Sequence, residues 1–140
     1  SLLKEIPTEP FFVMNGDLLT NIDFEQIHKY YLSNTALGLM CVRDYDYQVP
    51  YGVINTKKNR IFSVEEKPVH KFFVNAGIYM LSPEVLKFIP KNEFYNMTTL
   101  FEKLISKDIN LISYPIKGYW LDIGRFEEYK RANEDYEKVF

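Results

Sequence analysis

Four large apolar residues in a row, Phe11-Phe12-Val13-Met14, break off at Asn15-Gly16-Asp17. A short continuous apolar run suits a strand covered on both faces, as in a parallel sheet between helices. Ala36–Val42 and Phe72–Leu81 read as further buried strands, the second interrupted at Asn75-Ala76-Gly77. Ile109–Ile116 is another, and Pro115 puts its end at an edge because proline cannot donate to a ladder. Val53–Asn55 and Ile61–Glu65 read as a strand pair joined through Thr56-Lys57-Lys58-Asn59, closed by Glu66-Lys67-Pro68. Elsewhere the apolar period is helical. Asp23 caps a helix, Gln26 completes a capping box, and Phe24, Ile27, Tyr31 and Leu32 form the stripe up to Asn34. Ser82-Pro83-Glu84 starts a second helix, which Pro90 ends. A third begins near Thr98 or Thr99, both cap-like, and turns Phe101, Leu104 and Ile105 inward. A last helix runs from about Arg125 to Tyr136, with a stripe of Phe126, Tyr129, Ala132, Tyr136 and Val139. Arg43–Tyr51 reads as a polar, tyrosine-rich loop, and residues 1–10 as a lead-in. This order predicts one α/β domain, residues 1–140, with some antiparallel insertion.

Bulk properties narrow the partners. The chain has 140 residues, 46% apolar, 16% aromatic and 26% charged, enough for one domain with a dense core. A net charge of −2 gives no electrostatic footprint for nucleic acid or an anionic membrane. A site for phosphorylated substrates therefore needs a metal or single lysines. The lone Cys41 excludes an intrachain disulfide, fits a reducing compartment, and reads as buried filler within its apolar run. No apolar stretch approaches the roughly eighteen residues of a membrane span, and no signal peptide is visible. A cytoplasmic location is expected.

Candidate chemistry gathers at strand ends, where open α/β sheets bind ligands. The constellations are Asn15-Gly16-Asp17, Tyr51-Gly52, Glu66-Lys67-Pro68 with Asn75-Ala76-Gly77, and Trp120-Leu121-Asp122-Ile123-Gly124. In that order, from about Phe11 to Tyr136, they resemble the nucleotidyltransferase family of nucleoside-diphosphate-sugar pyrophosphorylases. The resemblance implies a Rossmann-like mixed, mainly parallel sheet flanked by helices, incomplete at its amino-terminal side. It implies an enzyme that joins a sugar 1-phosphate to a nucleoside triphosphate and releases pyrophosphate, with Mg2+ as cofactor. Two anions must meet in that reaction, and magnesium takes oxygen ligands, commonly one or two carboxylates with phosphates and water. By resemblance Asp17 and Asp122 are the metal ligands and Lys67 holds the phosphate of the sugar phosphate. Glu66 accepts hydrogen bonds from sugar hydroxyls. Asn15, Gly16, Gly52 and Asn75 belong to the substrate side, and Gly77 serves close packing beneath the sugar. Read without the family, Lys67 pairs with Glu65 on a solvated face and Asn75 satisfies a bulge.

Several residues compete. Asp44-Tyr45-Asp46 is a literal Asp-x-Asp, the pattern by which many glycosyltransferases hold a metal and a nucleotide-sugar. A glycosyltransferase is therefore the second enzymatic reading, although a solvated turn is the expectation for this segment. A non-catalytic, sugar-phosphate-binding regulatory subunit is the third. His28, on a polar helix side, and His70, in a loop after Pro68, have no metal-ligand companion. Trp120 is expected to pack beside Asp122. The family's glycine-rich signature, Gly-Gly-x-Gly-x-Arg-Leu followed by a lysine, wraps the triphosphate and has no counterpart in the 140 residues. The expectation is a carboxyl-terminal part of the catalytic domain, lacking roughly its first hundred residues and inactive alone. Strand Phe11–Met14 is then expected to keep an unpaired edge or apolar groove that favours self-association, so a homo-oligomer is a possible state.

Overall fold

A computed structural model describes residues 7–140, so the first part of the expected lead-in, residues 1–6, lies outside the described residues. The central sheet is four-stranded. It uses β1 (Phe11–Met14), β3 (Gly38–Gln48), β6 (Val69–Leu81) and β7 (Leu111–Pro115) in the order β1-β6-β3-β7. β1 runs antiparallel to β6, with Phe11 opposite Leu81 and Met14 opposite Ile78. β3 and β7 are parallel, with Gly38 opposite Leu111 and Val42 opposite Pro115. The sheet is mixed, and helices cover it on both faces, as the α/β class requires.

Alternation along β6 explains the layers. Successive strand residues point to opposite faces. Ile78 and Met80 join Leu39 and Cys41 against Ile27 and Tyr31 of α1 (Phe24–Leu32). Tyr79 and Leu81 pack instead with Leu100, Phe101 and Leu104 of α2 (Met97–Ile105) and with Val85. β1 ends the strand order, with one ladder partner among the described residues, and Met14 is 45% exposed. Beside it lies a groove of about 320 Å3 lined by Pro10, Phe12, Phe24, Glu25, His28 and Met80. Among the described residues the expected unpaired edge and apolar groove are both present.

The chain divides into two compact units, one comprising the portions up to Val42 and from Asn75 onward, the other Arg43–Val74. The second contains the outer half of β3, the hairpin β4 (Val53–Lys57) and β5 (Arg60–Glu65), and the start of β6. Its two-residue turn, Lys58-Asn59, has φ of +48° and +64°, the left-handed pair that suits the twist of a tight hairpin. The turn is therefore two residues shorter than the expected Thr56–Asn59.

Several elements differ from their sequence expectation. Arg43–Gln48 is strand, not loop, so Asp44-Tyr45-Asp46 lies on β3 and not in a turn. Tyr at alternate positions suits extended backbone, and ladder pairing decides what polarity alone reads as loop. His70 is likewise in β6. β6 runs unbroken through Asn75-Ala76-Gly77 because Gly77 absorbs the irregularity at φ +70°. Pro83–Phe88 is a 3-10 helix, started by Ser82 Oγ accepting from the Glu84 N–H at 3.3 Å. α2 starts at Met97 after Asn96, so Thr98 and Thr99 are helical residues and not caps. Leu32 and Ile105, expected inward, are 62% and 65% exposed. α3 (Phe126–Val139) buries Ala132 alone. Its Tyr136 stacks on Phe140 in place of entering a core.

Candidate active site

Leu18–Thr20, unrecognised in the sequence, forms β2 and pairs antiparallel with β8 (Trp120–Asp122). Leu18 faces Asp122, and one rung further the Ile123 N–H donates to the Asp17 carbonyl at 2.7 Å. Two residues a hundred and five positions apart in sequence thus sit on adjacent rungs of one ribbon, where backbone separations run to roughly 5–7 Å. Both aspartates are exposed. Asp122 Oδ1 accepts from the Gly124 N–H at 3.0 Å, which holds that carboxylate. The ribbon is tied at its far end: Thr20 Oγ1 donates to the Tyr119 carbonyl at 2.7 Å, and Asn21 Oδ1 accepts from the Tyr119 N–H at 2.8 Å.

Asn15, Asn75 and Gly77 meet at the end of β1. The Asn15 N–H donates to the Gly77 carbonyl at 2.9 Å. A Cβ at Gly77 would lie 2.8 Å from Asn15 Nδ2 and 3.1 Å from Leu18 Cδ1. Glycine is required there twice over, by positive φ and by the approach of Asn15. Asn75 Oδ1 accepts from the Gly77 N–H at 2.9 Å, and its Nδ2 donates to the Tyr79 hydroxyl at 2.7 Å. The carboxamide therefore braces the irregular turn of β6, with one N–H still available. Trp120 Nε1–H donates to the Ala76 carbonyl at 2.8 Å, tying β8 to the same turn. Trp120 packs against the core under α1. Gly16 is open, with nothing within 4 Å of a Cβ.

The other predicted residues belong to the second unit. Val53 pairs with Glu65, which sets Gly52 beside Glu66, and a Cβ at Gly52 would stand 3.0 Å from Glu66 Oε2. Gln48 Nε2 donates to the Lys67 carbonyl at 3.3 Å, and the Val49 N–H to the Pro68 carbonyl at 3.0 Å. These bonds fix a turn in which Lys67 adopts φ +44° with its side chain exposed. Lys67 has no ion pair with Glu65 among the described residues.

Carboxylate oxygens are the donor type that magnesium takes, and the register sets the backbones of Asp17 and Asp122 on adjacent rungs, where alternation along a strand turns neighbouring side chains to opposite faces. No group of three or more His, Cys, Asp or Glu able to hold a metal occurs among the described residues, so Asp44 and Asp46 lack further protein ligands on β3. A cavity of about 450 Å3 between α1 and the end of β7, lined by residues such as Gln26, Tyr30, Tyr114 and Lys117, contains none of the predicted site residues. The sequence hid the β2–β8 ribbon because three-residue strands carry no measurable period. Asp122 two places before Gly124 was the one local hint of a carboxylate curled onto its own backbone.

Comparison with known proteins gives this mixed sheet, with carboxylates at its strand ends, a family. The nucleotidyl transferase family model matches residues 2–139, and the chain belongs to that family. A mannose-1-phosphate guanyltransferase of Aspergillus fumigatus is 34% identical over 125 residues, which cover 86% of this chain and 34% of the relative. The Kluyveromyces lactis enzyme of the same name is 30% identical over 134 residues, covering 92% and 37%. This chain spans little more than a third of such relatives. A Bacillus anthracis crystal structure with sucrose, provisionally named a glucose-1-phosphate thymidylyltransferase, superposes with a TM-score of 0.67 at 18% identity. It covers 96% of this chain and 57% of its own. No helix among the described residues is long and apolar enough to cross a membrane.

Proposed function

We propose that this chain carries the metal and sugar-phosphate machinery of an enzyme that makes a nucleoside-diphosphate sugar. The observation that supports this reading is the pairing of Leu18 with Asp122 and of Asp17 with Ile123, which puts the backbones of two distant aspartates on adjacent rungs. In the reaction a sugar-phosphate oxygen attacks the α-phosphorus of a nucleoside triphosphate. A P–O bond forms, the bond to the β-phosphate bridge breaks, and pyrophosphate leaves with the electron pair. Asp17 and Asp122 would hold Mg2+, which would supply positive charge to neutralise the phosphates. Lys67 supplies a point charge to the sugar phosphate. Glu66 accepts from sugar hydroxyls, and Gly52 keeps space beside its carboxylate. Asn75 offers its remaining N–H, while Asn15 and Gly16 shape the approach to Asp17. No covalent enzyme intermediate is needed.

The guanyltransferase relatives make mannose 1-phosphate and GTP the first pair to try. We expect no turnover from these 140 residues alone, because the sequence carries no glycine-rich triphosphate loop. Multiple rounds of pyrophosphate release would contradict that expectation. A reducing, cytoplasmic setting agrees with the buried, unpaired Cys41. The deciding experiment is a magnesium titration in the presence of mannose 1-phosphate, followed by amide shifts. Asp17, Leu18, Asp122 and Ile123 should move first. Asp17→Asn or Asp122→Asn should weaken metal binding about tenfold or more. Binding that both variants leave intact would overturn the assignment.

A further inference from the structure

Asn15-Gly16 is the only Asn-Gly pair in the sequence. In such a pair the backbone nitrogen of the glycine can attack the asparagine side chain, because glycine carries no Cβ to hinder the approach. Both reacting groups are unengaged in the structure. Asn15 and Gly16 are exposed and lie just beyond the end of β1. The Asn15 N–H donates to the Gly77 carbonyl at 2.9 Å. Neither the Asn15 carboxamide nor the Gly16 N–H makes a hydrogen bond among the described residues. The carboxamide only rests against Gly77, where a Cβ would lie 2.8 Å from Asn15 Nδ2. Gly16 has open space around it, with nothing within 4 Å of a Cβ.

Asparagines elsewhere lack the glycine, and several are tied down. The Asn75 carboxamide is bonded to Gly77 and Tyr79. Asn21 Oδ1 accepts from the Tyr119 N–H, and Asn34 Nδ2 donates to the Tyr30 carbonyl at 2.7 Å. Each of these two precedes a β-branched residue, Ile22 or Thr35, whose bulk shields the next N–H. We propose that Asn15 is a site of spontaneous deamidation, with water as the co-reactant. The Gly16 nitrogen attacks Asn15 Cγ, the Cγ–Nδ2 bond breaks, and the Gly16 proton leaves with the amide nitrogen as ammonia. Water then opens the cyclic imide at either carbonyl. One opening gives aspartate. The other gives isoaspartate, which carries the main chain through Cγ and lengthens it by a methylene. That insertion falls between the Asn15–Gly77 bond and the Asp17 carbonyl, which accepts from the Ile123 N–H at 2.7 Å. Modification therefore loosens the β2–β8 ribbon from the end of β1. The inference rests on this local geometry and is independent of the nucleotidyl-transfer reading.

Incubated in warm, mildly alkaline buffer, the folded chain should convert Asn15 to acid before any other asparagine. Peptide mass mapping with an isoaspartate-specific methylation label reads the conversion. Gly16→Ala should slow it about tenfold or more. Open space and the absence of a positive φ at Gly16 let alanine fit there, and circular dichroism checks the fold. Asn15→Gln, whose longer side chain closes a less favourable ring, should resist as well. In the modified fraction the Ile123 amide should exchange with deuterium several-fold faster, while amides of the β4–β5 hairpin stay unchanged. Conversion first at another asparagine would overturn the inference. So would an unreactive Asn15 under conditions that convert an unfolded Phe12–Thr20 peptide, or equal rates in the parent and Gly16→Ala. An Ile123 amide indifferent to modification would overturn the effect on the ribbon.

Discussion

Gly77 shows what a single residue contributes. Its φ of +70° and its contact with Asn15 make any side chain costly. Gly77→Ala should destabilise the protein by about 2 kcal/mol, measured by urea unfolding, and should shift the Asn15 amide resonances. Asn75→Ala removes the brace on the same turn. It leaves the Gly77 N–H and the Tyr79 hydroxyl without their partner, for a loss of about 1–2 kcal/mol. Local sequence marked these positions as special, because Asn-Ala-Gly inside an apolar run demands an irregularity. It did not say that Asn15, sixty-two positions earlier, would be the group pressed against Gly77. That contact depends on the β1–β6 register, which no local pattern encodes.

Elements with a strong periodic signal and a cap were legible. Asp23 Oδ1 accepts from the Gln26 N–H at 3.0 Å as the capping pattern requires, and Asp23→Ala should cost about 1 kcal/mol. The reciprocal half of the box is absent, since Gln26 Oε1 accepts from the Tyr114 hydroxyl at 2.7 Å. A partner on β7 outcompetes the local one. In the hairpin, Asn59 at φ +64° tolerates the left-handed region that glycine occupies without strain. Asn59→Gly should therefore stabilise the chain by about 0.5 kcal/mol, read as a higher urea midpoint. The exposed aromatic stripe of α3 shows the opposite outcome. Phe126 and Tyr129, 71% and 55% exposed, have the spacing of a buried face but meet no layer among the described residues. Amphipathic spacing identifies a face able to pack. Whether anything packs on it is a tertiary matter.

At the scale of the molecule, the core imposes a pH dependence. Burial pushes the Cys41 thiol up to about 12 from an ordinary 9.0. Burial also raises Tyr31, helped by the Glu84 charge. The unfolded thiol releases its proton near 9 while the folded one keeps it. Stability is therefore full below pH 9 and falls as pH rises toward 12. Thermal midpoints should decline across that window, and Cys41→Ala should flatten the slope whatever it does to the midpoint itself. The sequence by itself determined the longer buried strands and the helix start capped by Asp23, and it suggested residue types able to handle a phosphate. Each of those depends on neighbours a few positions away, where sterics, capping and period act directly. Only the tertiary structure decided that Asp17 and Asp122 share one ribbon, that Asp44 and Asp46 lie along a strand, and that the aromatic stripe of α3 stays exposed. Those outcomes follow from strand register and from which surfaces find a partner. Both are settled by packing between segments far apart in the chain.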